Sequence, residues 1–146
     1  MLEYILKEKI SADHLLYVSL KYTKTCDVML NLIIRWVSLI EGCNEFLLIK
    51  AKKKGKLSKI PEMPKIKIDK LREIFKKEKV VQDALEMYLF FKRVENSQKL
   101  RENDFRKNVT LKILDRGNWV DINLDKLKEY NELLERFINY VRQYTL

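Results

Sequence analysis

Residues 28–40, VMLNLIIRWVSLI, decide how this chain folds. Around them an apolar stripe runs Leu15, Val18, Tyr22, Cys26, Met29, Ile33, Trp36, Ile40, Cys43, Leu47 and Ala51, at intervals of three or four. That is the period of an α-helix sustained for many turns. Ser11 or Asp13 can cap its start by accepting a hydrogen bond from a free backbone N–H. Gly55, after the cations Lys52 to Lys54, suits its end. The pattern predicts one long helix from about Ala12 to Lys54, with Thr23, Thr25 and Gly42 as the positions where it can bend or break.

The middle of this helix is apolar over most of its circumference. At about 100° per residue, Val28, Met29, Leu30, Leu32, Ile33, Ile34, Trp36, Val37, Leu39 and Ile40 fill about 240°, leaving the rest to Asp27, Asn31, Arg35 and Ser38. A helix packed on a single core needs an arc of only about 100° or somewhat more. Length adds a second argument. About 43 residues span about 64 Å, whereas a compact chain of this size is roughly 40 Å across. Either the rod bends sharply or another chain covers part of it, and a two-fold homodimer is the commonest cover. The expected dimer interface is Leu30, Ile33, Ile34, Trp36, Val37 and Ile40.

Outward from the long helix, Gly55 to Lys67 carries Pro61 and Pro64 and reads as an extended connection that reverses the chain. Asp69 then caps a short helix, Leu71 to Lys77, and a second follows from about Val80 to Val94. The alternating, β-branched run Val109 to Leu114, the turn signal Asp115-Arg116-Gly117-Asn118 and the run Trp119 to Ile122 predict a β-hairpin. Asn123 caps a final helix from Leu124 to about Tyr144. The expected fold class is mainly α, a multi-helical bundle with one long N-terminal helix and a small β-hairpin before the C-terminal helix. All 146 residues are expected to form a single helical domain.

Composition agrees with that class. Apolar residues make up 47% of the chain, too many for disorder, and three glycines with two prolines favour helices over a turn-rich β protein. Met1 to Ile10 mixes Glu3, Lys7, Glu8 and Lys9 among its apolar residues and is not a signal peptide. Residues 28–40 are too short to cross a bilayer. A cytoplasmic protein without membrane association is therefore expected. Cys26 and Cys43, about 26 Å apart on one helix, cannot form an intrachain disulfide. Without a Cys-x-x-Cys pair or a nearby histidine they read as buried core thiols in a reducing compartment. No metal, cofactor or small-molecule substrate is evident.

The net charge of +9 is concentrated. Between Lys50 and Lys79 thirteen cations face four carboxylates, and the rest of the chain balances to zero. Such a segment creates a positive field that attracts polyanions such as nucleic acid. The candidate binding residues are Lys50, Lys52, Lys53, Lys54, Lys56 and Lys59, with an arginine-richer cluster containing Arg101, Arg106 and Lys107 as a possible continuation of the surface. Lysine and glutamate enrichment is also common in proteins of heat-loving organisms, where it serves solubility and surface ion pairs. Phe75 is the single aromatic of the basic segment and reads as buried, which argues against a stacking platform for single strands.

Catalytic patterns are absent. His14 is the sole histidine, placed by this reading in the first turn of the long helix beside Asp13 as a solvent-facing or capping residue. There is no Gly-rich phosphate loop, nucleophile elbow or HExxH pattern. At Ala12-Asp13-His14-Leu15-Leu16-Tyr17 and the helix after it, and at Phe105-Arg106-Lys107-Asn108-Val109-Thr110, the chain resembles uncharacterised small helical proteins of archaea. More loosely it resembles the HEPN class of helical domains, which often dimerise and include RNA-cleaving toxins. Active members carry an arginine four to six residues before a histidine late in the domain. Neither Arg101 nor Arg106 is followed by a histidine, so the resemblance implies at most an inactive relative. Three functions are thus expected in turn: a non-catalytic, dimeric binder of nucleic acid or another polyanion, a protein-interaction or scaffold module, and a HEPN-type RNase or toxin-like protein.

Overall fold

The computed structural model describes residues 2–144. Helix begins earlier than expected, at Leu2. Helix α1 (Leu2–His14) passes into a π-helical stretch (Leu15–Ser19) and a last turn, α2 (Leu20–Tyr22). The backbone then leaves helical geometry, with Thr23 at φ −130° and Thr25 at φ −122°, ψ 153°. It restarts as α3 (Cys26–Lys53). The single rod expected from Ala12 to Lys54 is therefore two helices.

The break falls at the threonines because other partners take over the hydrogen bonds that a continuous helix would make. Thr25 Oγ1 accepts from the Val28 N–H at 3.3 Å, a side-chain N-cap. The Cys26 N–H donates to Asp104 Oδ1 at 2.9 Å, and the Phe105 N–H donates to the Lys24 carbonyl at 2.6 Å. A loop some 80 residues away in sequence thus stabilises the reversal, and no helical period can report it.

After the reversal, α1 lies antiparallel on α3. Tyr4 and Ile5 face Gly42, and Arg35 meets Glu8 at 3.4 Å. Gly42 permits this approach, since a Cβ there would stand 3.2 Å from the Tyr4 ring. Helix α4 (Pro64–Ile74) and helix α5 (Lys79–Asn96) cover a second side of α3, and α6 (Leu124–Tyr144) a third. Trp36 stacks on Phe91 of α5, with centroids 5.7 Å apart, and meets Tyr130 of α6 edge-on at 6.4 Å.

The wide apolar arc is thus covered from within the chain. Ile33, Trp36, Val37 and Ile40 are buried in its own core and are not available to a second copy; Leu30 is half-buried, and Ile34 alone of the six expected interface residues is exposed. The break at Thr23–Thr25 shortens the rod, and the arc that remains on α3 is covered largely by its own chain, so neither feature requires a second copy there.

Pro64 opens α4 at its first turn, where a missing N–H costs nothing, so this helix starts before the expected Asp69 cap and ends at Ile74. Helix α3 ends in a Schellman motif. Gly55 adopts φ +77°, its N–H donates to the Lys52 carbonyl, and the Lys56 N–H donates to the Ala51 carbonyl. Asn123 caps α6, accepting from the Lys126 N–H at 2.8 Å.

The expected hairpin is present as β2 (Thr110–Asp115) and β3 (Asn118–Ile122), with Ile113 opposite Val120. Its two-residue turn, Arg116-Gly117, has positive φ at both positions, as a type I′ turn requires. A third strand, β1 (Lys99–Glu102), adds an antiparallel edge beside β2. Its sequence, KLRE, is short and charged, which suits an exposed edge and conceals it from a search for apolar alternation. Leu111, Ile113 and Ile122 point inward onto the helices.

Both cysteines lie buried on α3, and burial raises their pKa values, that of Cys26 to about 11 and that of Cys43 to about 12. Among the described residues no helix is long and apolar enough to cross a membrane.

Two outcomes follow from this packing. A Gly42→Leu substitution drives a side chain into Tyr4 and Ile5, and urea unfolding should show a loss of about 1–3 kcal/mol. Asp115, 8% exposed, accepts from Arg93 Nε at 2.7 Å. This hydrogen bond, with the charges of Arg93 and Arg116, holds its pKa below the ordinary carboxylate value. The stabilisation is therefore complete above the unfolded-state pKa and fades as pH falls through the lower folded-state value. Asp115→Asn should cost about 2 kcal/mol at neutral pH, and the gap to the parent should narrow in unfolding measurements as pH falls through the folded-state value.

Candidate nucleic-acid interface

Three helices end at one pole of the bundle. The last turn of α3 brings Lys50, Lys52 and Lys53, and the connection after it brings Lys54, Lys56 and Lys59. The turn between α4 and α5 adds Lys76 and Lys77, and the end of α6 adds Tyr140 and Tyr144. Helix C-termini present unpaired carbonyls and the negative end of the macrodipole, so cations gather there with a local electrostatic benefit. Lys54 shows this directly. Its Nζ donates to the Tyr144 carbonyl at 2.7 Å and lies 3.9 Å from the centroid of the Tyr144 ring.

The lysines exceed what those termini and nearby carboxylates absorb. Within the basic segment Lys67 pairs with Glu45, Lys70 with Glu73, Arg72 with Glu86 and Lys79 with Asp83. Among the described residues, Lys50, Lys52, Lys53, Lys54, Lys56, Lys59, Lys76 and Lys77 have no carboxylate partner within ion-pair distance. Lys50 rests over the Phe46 ring, 5.5 Å from its centroid, while Lys52, Lys53, Lys56 and Lys59 project into solvent.

Aromatic residues missing from the basic segment arrive from α6. Phe75 is buried, as expected, and meets the ring edges of Tyr140 at 6.1 Å and Tyr144 at 5.0 Å. The two tyrosines stack on each other at 6.1 Å. With Lys56, Lys76 and Lys77 they line a cavity of about 290 Å³. Burial, with Glu78 and Tyr144 nearby, pushes Tyr140 up to about 12, and burial also raises Tyr144. Both phenols stay neutral at physiological pH, so lysines supply the positive charge around them. The last turn of α6 joins the basic pole only through tertiary packing.

The second cluster does not continue this surface. Arg101 pairs with Asp27 at the start of α3, and Arg106 and Lys107 sit in the loop before β2. The length of α3, about 40 Å at about 1.5 Å per residue, separates them from Lys52 and Lys53. Arg106 and Lys107 are exposed, and Lys99 donates to the Glu95 and Ser97 carbonyls. His14 is also displaced from its expected place. It is the exposed last residue of α1 and not a first-turn residue, and Asp13 pairs with Lys9 without capping a helix start.

No family model, no curated protein and no solved structure matches this chain. The geometry alone carries the functional argument.

The aromatic cluster should be a structural support of the basic pole. Phe75→Ala is expected to lower stability by about 3–5 kcal/mol in urea titration, and Phe75→Leu to lose less because it leaves a smaller void.

Proposed function

We propose that this chain binds the phosphate backbone of nucleic acid through its lysine-rich pole, without catalysis. The observation that supports this reading is the gathering, where three helices end, of eight lysines that have no carboxylate partner among the described residues. Each lysine that replaces a condensed counterion on a phosphate contributes a salt-sensitive increment to affinity. An ammonium is a point charge and lacks the guanidinium fork that matches base edges. The binding is accordingly of low sequence specificity. The neutral tyrosines beside the lysines give an unpaired base an apolar edge to rest against, but Lys54 and Tyr140 already occupy faces of the Tyr144 ring. Phosphate contact therefore outweighs stacking.

The test is a fluorescence-anisotropy titration with short RNA and DNA duplexes and single strands. If six lysines engage phosphates, affinity falls by about 10³-fold between about 50 and 200 mM salt. Lys52→Glu, Lys53→Glu and Lys56→Glu together should weaken binding at least tenfold with unchanged circular dichroism. Lys54 is left in place because it also holds the end of α6. Binding that is absent at low salt, or indifferent to the triple change, would sink the proposal.

A further inference from the structure

The end of α3 opposite the lysine pole carries a second exposed cluster. There the reversal at residues 22–25 meets the loop between β1 and β2. Phe105 stands in that loop at φ +69°, a left-handed conformation that suits glycine and, less often, asparagine. Asn103, at φ +61°, is such an asparagine. For a bulky residue the conformation is a genuine outlier, and it persists only where the surrounding structure holds it.

Hydrogen bonds on both sides of Phe105 do the holding. Its own N–H donates to the Lys24 carbonyl at 2.6 Å, the Cys26 N–H to Asp104 Oδ1 at 2.9 Å, and the Arg106 N–H to the Asn103 carbonyl at 3.1 Å. The side chain gains nothing from this arrangement: Phe105 is 75% exposed and has no ring partner among the described residues. A glycine would serve the fold better at this position. Tyr22, two residues before Lys24, is 78% exposed as well, with Lys21 Nζ 5.9 Å from its ring centroid. Packing of the core accounts for neither ring.

Cations surround the two rings. Lys21 and Lys24 flank Tyr22, Arg106 and Lys107 follow Phe105, and none of the four has a carboxylate partner within ion-pair distance among the described residues. The carboxylates nearby are engaged elsewhere: Asp27 with Arg101, Glu102 with Lys112, and Asp104 with the Cys26 N–H. Flat apolar rings set among unpaired cations match what a single strand presents, free base faces beside phosphates. A duplex presents only the phosphates. Beside the rings stand Thr23, Asn103 and Asn108, all exposed and polar, so a bilayer would gain little apolar surface here. We infer that Tyr22 and Phe105, with Lys21, Lys24, Arg106 and Lys107 around them, form a contact for single-stranded nucleic acid. Unpaired bases stack on the rings, and the cations meet the phosphates between them. Nothing in this rests on the lysine pole at the other end of α3.

The test is fluorescence anisotropy at low salt with a short oligothymidylate and a duplex of matched length. It is done on the full chain carrying Lys52→Glu, Lys53→Glu and Lys56→Glu, so that failure of the lysine pole and failure of this cluster are read separately. The strand is expected to bind about fivefold or more tightly than the duplex. Adding Phe105→Gly should weaken the strand by about fivefold or more and hold or raise the Tm, since glycine suits the left-handed backbone. Adding Phe105→Tyr, which keeps a ring, should leave strand affinity within about twofold. The inference is overturned by a strand that does not bind, by a duplex that binds as tightly, or by strand affinity unchanged in Phe105→Gly. In that last case, loss of co-sedimentation with phosphatidylserine vesicles would identify the cluster as a membrane contact instead. A lowered Tm in Phe105→Gly would make the ring a structural group and overturn the inference as well.

Discussion

The structure depends on one constraint: the middle of α3 is apolar over most of its circumference, and that arc, Ile34 apart, must be removed from water. Trp36, Ile33, Leu39 and Ile40 are almost fully buried, and no single neighbouring helix reaches all four directions. The chain meets the demand by folding residues 2–22 back along α3 and laying α4, α5 and α6 around the remainder. At about 25 cal/mol per Å² of apolar surface, this burial is the largest favourable contribution available to a chain of this size. The reversal at Thr23–Thr25 makes it possible, and Asp104 and Phe105 supply the hydrogen bonds that keep the reversal from reverting to helix.

A central helix of this kind also distributes charge. Because α3 is internal over most of its surface, its polar residues collect at its ends, along the exposed strip of Asn31 and Arg35, and beside α4 and α5. The far end carries Lys50, Lys52 and Lys53, joined by the ends of α4 and α6, and becomes a positive pole. Where α4 and α5 meet α3, Glu45 accepts from Lys67 and Glu41 from the Tyr88 hydroxyl.

Much of the architecture was legible from local chemistry. The Arg116-Gly117 turn, the Asn123 cap, the Gly55 stop and the apolar period of α6 each arise within a few residues, and each is where the pattern places it. The concentration of lysine between Lys50 and Lys79 was equally plain. What escaped was non-local. The stripe from Leu15 to Ala51 keeps its period through Thr23–Thr25, so the break could not be told from a continuous helix. Strand β1 has too little apolar character to announce itself. Tyr140 and Tyr144 reach the lysines from a helix more than 60 residues further on.

By itself, the sequence determined that this is a mainly helical chain with a small antiparallel sheet before its last helix, a buried α3 and a basic segment, because periodicity, capping and composition act over one or two turns. Only the tertiary structure decided that α3 is covered largely by its own chain, that Arg106 and Lys107 follow a loop held at the opposite end of α3 from the lysine pole, and that Asn44 Oδ1 is enclosed without a partner. The physical reason is the same in each case. A side chain's surroundings are set by which helices cross above it, and that crossing is decided by a reversal held in place by hydrogen bonds to residues far away in the chain.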